Sequence, residues 1–187
     1  MKKIILAITG ASGSLYAVEF ARLLAPLEVE VHAIISSAGV QVLHLETGMQ
    51  PTDLPGVAKW FAIDNFAAAP ASGSAAYDAM VVLPCSMGTL GAIAGGLSNN
   101  LIHRAADVML KERRPLVLAV RETPLNRTHL RNMLQAAEAG AVICPAMPAF
   151  YHLPADLTAM ARHFAGRVAT QAGIRVPELI EWSGIDV

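Results

Sequence analysis

Short apolar runs recur along this chain, and after most of them apolar residues return every three or four positions. Lys3 to Thr9, Val29 to Ile35, Met80 to Pro84, Leu116 to Val120 and Ala141 to Cys144 are β-branched or Leu-rich and nearly continuously apolar, the pattern of strands buried on both faces. Ser14 to Leu24, Ala38 to Glu46, Thr89 to Leu97, Leu101 to Lys111, Asn126 to Ala139 and Ala155 to Ala172 carry helical spacing, with Gly140 placed to end the fifth of these helices. This alternation predicts an α/β fold on a doubly wound parallel sheet. Such sheets bind ligands at the carboxyl ends of their strands, so the residues after each strand are the first to read for chemistry. There is no internal repeat, and the Pro-, Ala- and Ser-rich segment from Ala67 to Ala75 predicts the one mobile loop.

Length and composition narrow the picture. The 187 residues suit a single domain spanning 1–187. Only 16% of them are charged against 54% hydrophobic, which leaves little polar surface for an isolated sphere and predicts a homo-oligomer. A net charge of -1 with scattered cations offers no basic stripe, which excludes nucleic acid as a partner. Cys85 and Cys144 lack metal-ligand spacing and predict a reduced, cytoplasmic chain. The six histidines form no close ligand pair, so no metal is expected and the histidines read as structural. The opening MKKIILAITG is broken by Thr9 and Gly10, and the uncharged stretch from Ala79 to Ile102 holds Pro84, Ser86, Asn99, Asn100 and several glycines. Both read as strand, loop and helix rather than leader or membrane span.

The candidate chemistry clusters after the strands. Arg121 and Glu122 end the strand Leu116 to Val120, delivering charge to the sheet's binding edge. Upstream, Arg104 and Lys111 lie seven residues apart, two helical turns, so they share a face that suits a phosphate. Arg113 and Arg114 read instead as a solvated helix end. Gly10, Ala11, Ser12 and Gly13 form a turn whose helix-start N–H groups attract phosphate, although GxxG alone serves packing as often as binding. Ser36, where a dinucleotide enzyme would carry Asp or Glu for the ribose, favours a mononucleotide such as FMN over NAD. Ser86, Met87, Gly88 and Thr89 open the next helix, and Ser86 serves equally as ligand or N-cap. The apolar context of Glu46 pushes its carboxylate towards neutrality, unless it lies exposed at a helix end. Tyr151 either holds a phosphate oxygen or anchors its loop, Arg167 is a candidate that nothing local settles, and Trp182 either covers an aromatic ligand or packs on a neighbour.

With TGASG at 9 to 13, LET at 45 to 47, PASGS at 70 to 74, PCSMGTL at 84 to 90, NNLIHRAADVMLKERRPLVLAVRETPL at 99 to 125 and GAVICPAMPAFYH at 140 to 152, the chain closely resembles the flavin prenyltransferases, the UbiX-like family, over nearly its whole length. The resemblance implies a flavodoxin-like Rossmann fold and a large homo-oligomer, a dodecamer built from trimers, with FMN between subunits. It implies FMN contacts from Gly10, Ala11, Ser12, Ser36, Ser86, Met87, Gly88, Thr89 and Arg121. Arg104, Lys111, Tyr151 and Arg167 would meet the phosphate of dimethylallyl phosphate, some of them from a neighbouring chain, with Trp182 near the flavin face. Glu46 and Glu122 would handle protons, with Ser12 relaying to Glu122. The implied reaction joins a dimethylallyl group to N5 of reduced FMN and closes a ring at C6 without metal, making prenylated FMN for a UbiD-like decarboxylase. Monophosphate or diphosphate as leaving group, and the downstream pathway, stay open. The segment SSAG at 36 to 39 departs from the Lys that many relatives carry after the first Ser. Flavin-dependent decarboxylases of cysteine peptides or pantothenate derivatives share the fold but carry Asn after the PAS element and a PxMNxxMW stretch, unlike PASGS and PAMPAFYH here. A non-catalytic flavin-binding subunit would not need the set Arg104, Lys111, Tyr151 and Arg167.

Overall fold

The computed structural model describes residues 1–180, 182 and 184. Six parallel strands form one sheet: β1 (Lys2–Ile8), β2 (Val29–Ile35), β3 (Val57–Phe61), β4 (Ala79–Cys85), β5 (Leu116–Val120) and β6 (Val142–Ile143), in the order β3-β2-β1-β4-β5-β6. Six helices cover it: α1 (Ser14–Leu24), α2 (Ser37–Thr47), α3 (Met87–Ala94), α4 (Leu101–Lys111), α5 (Arg127–Glu138) and α6 (Leu157–Gln171). This is the flavodoxin-like, doubly wound arrangement that the alternation predicts.

Side chains alternate across each strand, and the two faces of the sheet carry separate cores. Ile4, Leu6 and Ile8 pack with Phe20 and Leu24 of α1 and Phe164 and Val168 of α6. Ile5, Ala7, Met80 and Val82 pack with Leu90 of α3 and with Leu101, Ile102 and Met109 of α4. Fully burying an aliphatic or aromatic side chain contributes roughly 1.5–3 kcal/mol, so the central strands dominate the stability. Polar side chains define the helix starts: Ser36, Ser86, Asn100, Asn126 and Asp156 each accept a backbone N–H in the first turn of α2 to α6.

Three expectations change. Strand β3 is absent from the apolar pattern because it is an edge strand with Ala58 and Lys59 exposed. The segment from Ala67 to Ala75 is pinned rather than free: it contains a short 3-10 turn, Ala69–Ala71, and Arg104 Nε donates to the Ala71 carbonyl at 3.0 Å. Arg114, expected in solvent, donates to the carbonyls of Ala75 at 2.6 Å and Gly73 at 2.9 Å, the first of which also accepts the Tyr77 N–H, because a non-repetitive loop leaves carbonyl lone pairs that no ladder fills.

Helix α5 buries only Ala136 and leaves Leu130 and Leu134 exposed, one turn apart. Met147, Phe150, Leu153 and Leu157 add a second exposed apolar tract. Such area on a chain this poor in charge is consistent with subunit contact.

Candidate active site

The site begins where β1 and β4 lie side by side while their following helices leave towards opposite faces, a crevice that receives ligands in open α/β sheets. Thr9, only 1% exposed, ties the two strand ends together: its hydroxyl donates to the Pro84 carbonyl at 2.7 Å and accepts the Ser86 N–H at 2.8 Å. A Cβ on Gly10 would lie 2.4 Å from the Ala38 Cβ, so this glycine lets α2 close on the turn. Gly13 has φ 115, a left-handed conformation that glycine adopts without strain.

At the start of α1 an anion is already supplied by the chain. Glu46 accepts the Gly13 N–H at 2.9 Å and the Ser14 N–H at 2.7 Å, so those groups are not free for a phosphate as the turn's sequence predicts. Partial burial raises the Glu46 pKa, but the Ser12 hydroxyl and the Gly13 and Ser14 N–H groups outweigh it and hold the carboxyl below its ordinary value. The neutral acid expected from its apolar neighbours is therefore an ionised cap, because its side chain lies among donors and not among Leu43 and Leu45. The Ser12 hydroxyl hydrogen-bonds the Glu46 carboxylate.

Ser36 and Ser86 are both N-caps, accepting from Gly39 N–H at 3.0 Å and Thr89 N–H at 3.3 Å. The first-turn N–H groups of Met87 and Gly88 find no carbonyl within their own helix. A Cβ on Gly88 would meet nothing within 4 Å, so space lies open in front of them. The start of α3 thus leaves backbone donors facing open space at this edge.

Beyond β5, Arg121 donates its backbone N–H to the Cys85 carbonyl at 3.1 Å, which fixes the start of the charged turn against β4. Burial pushes the Tyr16 phenol pKa up, and the positive charge of nearby Arg121 draws it back. Glu122 accepts its neighbour's Thr123 N–H at 2.9 Å and is exposed. Arg121 and Glu122 line a cleft of ≈ 300 Å³ with Val120, Met133, Pro145 and Met147. A second cleft, of ≈ 670 Å³, shares Pro145 and Met147 and brings together Tyr151, Arg167 and Trp182. The Tyr151 ring meets Trp182 edge-on at 5.5 Å between centroids, and its hydroxyl lies 3.3 Å from Nε2 of His163. Arg167 is near enough to Cys144 to offset in part the rise that burial imposes on that thiol.

Arg104 and Lys111 do not join these clefts. Arg104 Nη1 pairs with Asp107 at 2.7 Å, Lys111 pairs with Glu112, and both cations sit beside the 71–73 loop, so the pair lines no described cleft of its own chain. Two contributors were missed by sequence reasoning. Thr9 reads from sequence only as the polar end of the first strand, since its two partners lie 75 and 77 residues away. His163 was read among isolated histidines, although its spacing of four from Arg167 puts both on one face of α6. Among the described residues no group of three or more His, Cys, Asp or Glu is arranged to hold a metal ion.

The family model described as Flavoprotein matches residues 1–163. The flavin prenyltransferase UbiX of Escherichia coli is 45% identical over 188 aligned positions, covering 98% of this chain and 100% of the relative. Among solved structures, AnUbiX (PadA1) in complex with FMN and dimethylallyl pyrophosphate superposes with a TM-score of 0.95 at 39% identity, covering 99% of both chains. A dodecameric FMN-dependent UbiX-like decarboxylase from Escherichia coli O157:H7 superposes with a TM-score of 0.93 at 38% identity, covering 97% of this chain and 100% of the other.

Proposed function

The chain belongs to the flavin prenyltransferases of the UbiX type, within the Flavoprotein family, and from that premise we propose how its own residues divide the reaction. The donor is dimethylallyl phosphate and the acceptor is reduced FMN, prenylated at N5 and then at C6. The observation that carries this reading is the junction of two clefts at Pro145 and Met147, one holding Arg121 and Glu122, the other Tyr151, Arg167 and Trp182.

The residues present fit a flavin mononucleotide. Open space in front of Gly88, unpartnered first-turn donors on α3 and the hydroxyls of Ser36 and Ser86 suit a phosphate and ribityl chain, and the Val120 to Met147 cleft is partly apolar, as a flat ring requires. Gly10, Ala11, Ser12, Ser36, Ser86, Met87, Gly88, Thr89 and Arg121 hold it. When bound and reduced, FMN supplies the nucleophilic atoms.

Tyr151 and Arg167 bind the donor's phosphate and stabilise the charge that grows as the allylic carbon–oxygen bond loosens. Arg104 and Lys111 complete the cation set from a neighbouring chain, since they line neither cleft of their own. Trp182 borders the allylic fragment and excludes water. Glu122 accepts the proton released on ring closure, and Glu46, held ionised, serves as a base with Ser12 rather than as an acid. No metal takes part in this scheme.

We read residues 1–187 as one FMN-binding domain in a cytoplasmic dodecamer that passes prenylated FMN to a UbiD-like decarboxylase. The dodecameric relative and the exposed apolar tracts support the assembly. No helix among the described residues is long and apolar enough to cross a membrane, and both cysteines are free. The test is to incubate the protein with reduced FMN and either dimethylallyl phosphate or its diphosphate, then weigh the extracted flavin. A prenyl unit added with the monophosphate supports the reading; a flavin of unchanged mass with both donors overturns it.

A further inference from the structure

His163 lies on α6, 7% exposed, four residues before Arg167 and so one turn from it on the same face. Its Nε2 is 3.0 Å from the Ile180 carbonyl and 3.3 Å from the Tyr151 hydroxyl oxygen. A carbonyl only accepts, so Nε2 carries the ring proton. Nδ1 is buried without a partner, which leaves all the hydrogen bonding of this side chain to Nε2. The Tyr151 ring stands edge-on to His163 at 5.5 Å and to His152 at 5.7 Å, and the two imidazoles stack on each other at 3.8 Å and 17°. The phenol is therefore gripped at its oxygen and braced at its ring.

We propose that His163 is a positioning residue for prenyl transfer, holding the Tyr151 hydroxyl and the Ile180 carbonyl at the edge of the cleft so that the phenol meets the donor's phosphate in a single orientation. The inference rests on the reading of Tyr151 as a phosphate ligand. The single Nε2–H is shared between the Ile180 carbonyl at 3.0 Å and a phenol lone pair at 3.3 Å, and the Tyr151 O–H is left to turn from the Ile180 carbonyl, 3.3 Å away, to a phosphate oxygen. The donor loses little freedom on binding because it was already aimed. Arg167, one turn along the same helix, keeps a fixed spacing to it.

Replacement by two amides separates this role from simple packing. Gln at 163 reaches the position of Nε2 with an N–H, whereas Asn reaches only that of Nδ1. His163→Asn is expected to raise the KM for dimethylallyl phosphate about tenfold, one hydrogen bond to a charged ligand being worth about that much, while the KM for reduced FMN is unchanged. His163→Gln should restore most of the loss, and His163→Asn should add nothing in a Tyr151→Phe background. Equal effects of Asn and Gln, or an Asn effect that persists beside Tyr151→Phe, would overturn the proposal. If Tyr151→Phe raises the KM and His163→Asn does not, this inference alone falls. If Tyr151→Phe leaves the KM unaltered, the phosphate role of Tyr151 falls and takes this inference with it.

Discussion

The Glu46 carboxylate, from the end of α2, accepts the Ser14 N–H at 2.7 Å and so caps α1, whose own preceding residue, Gly13, has no side chain to do it. Glu46→Gln keeps the shape but loses the negative charge at the positive end of the helix, with an expected cost of about 1 kcal/mol or less, since the group is exposed and screened. Because the folded-state pKa lies below the ordinary carboxylate value, this contribution is present above that ordinary value and fades as pH falls through the folded one. Urea unfolding midpoints of the two proteins should differ at neutral pH and converge in acid. A gap that widens in acid would contradict the capping role.

Thr9→Val removes the hydroxyl that joins Pro84 and Ser86; the Pro84 carbonyl keeps the residue-9 backbone N–H at 3.3 Å, but the part-buried Ser86 N–H loses its acceptor, an expected loss of roughly 1–3 kcal/mol. Ser86 starts α3, so the affinity for FMN should fall as well. Flavin fluorescence titration beside thermal melting checks both, and unchanged FMN affinity would mean that the bridge serves the sheet alone.

Gly10→Ala forces a Cβ to within 2.4 Å of the Ala38 Cβ and should cost roughly 1–3 kcal/mol by overpacking. Ala38→Gly in the same chain should recover most of it. A melting temperature no higher in the double variant than in Gly10→Ala would place the strain elsewhere in the turn.

Arg114→Met deletes both guanidinium bonds to the 73–75 carbonyls while keeping much of the stem's packing. Amide hydrogen exchange in residues 70–76 should accelerate, and the sheet's central strands should keep their protection. Equal protection in the two proteins would show that the 3-10 turn holds the loop unaided.

How much of this was legible in the sequence follows from burial. Strands β2 and β5 read to the residue because their apolar runs are bounded by turns and flanked by sheet on both sides; β3 did not, since an edge strand that exposes Ala58 and Lys59 keeps no continuous run. At the site, a local signal such as the N-cap Ser86 was readable from spacing. The setting of Glu46 was not, because its partners lie some thirty residues earlier and only the close approach of α2 at Gly10 brings them together. The grip of Arg114 on a distant loop, and of His163 on Tyr151, are likewise tertiary facts with no local trace.

Arg104 and Lys111 look away from the clefts of the polypeptide that carries them, and genetics can exploit this. On the division of residues proposed above, a strain carrying one allele defective at Arg104 and another defective at Tyr151 should make mixed particles in which some cavities draw both walls from intact sources. Two inactive proteins should then regain prenyl transfer together, whereas two defects within a single wall, Tyr151 and Arg167, should stay silent in any mixture.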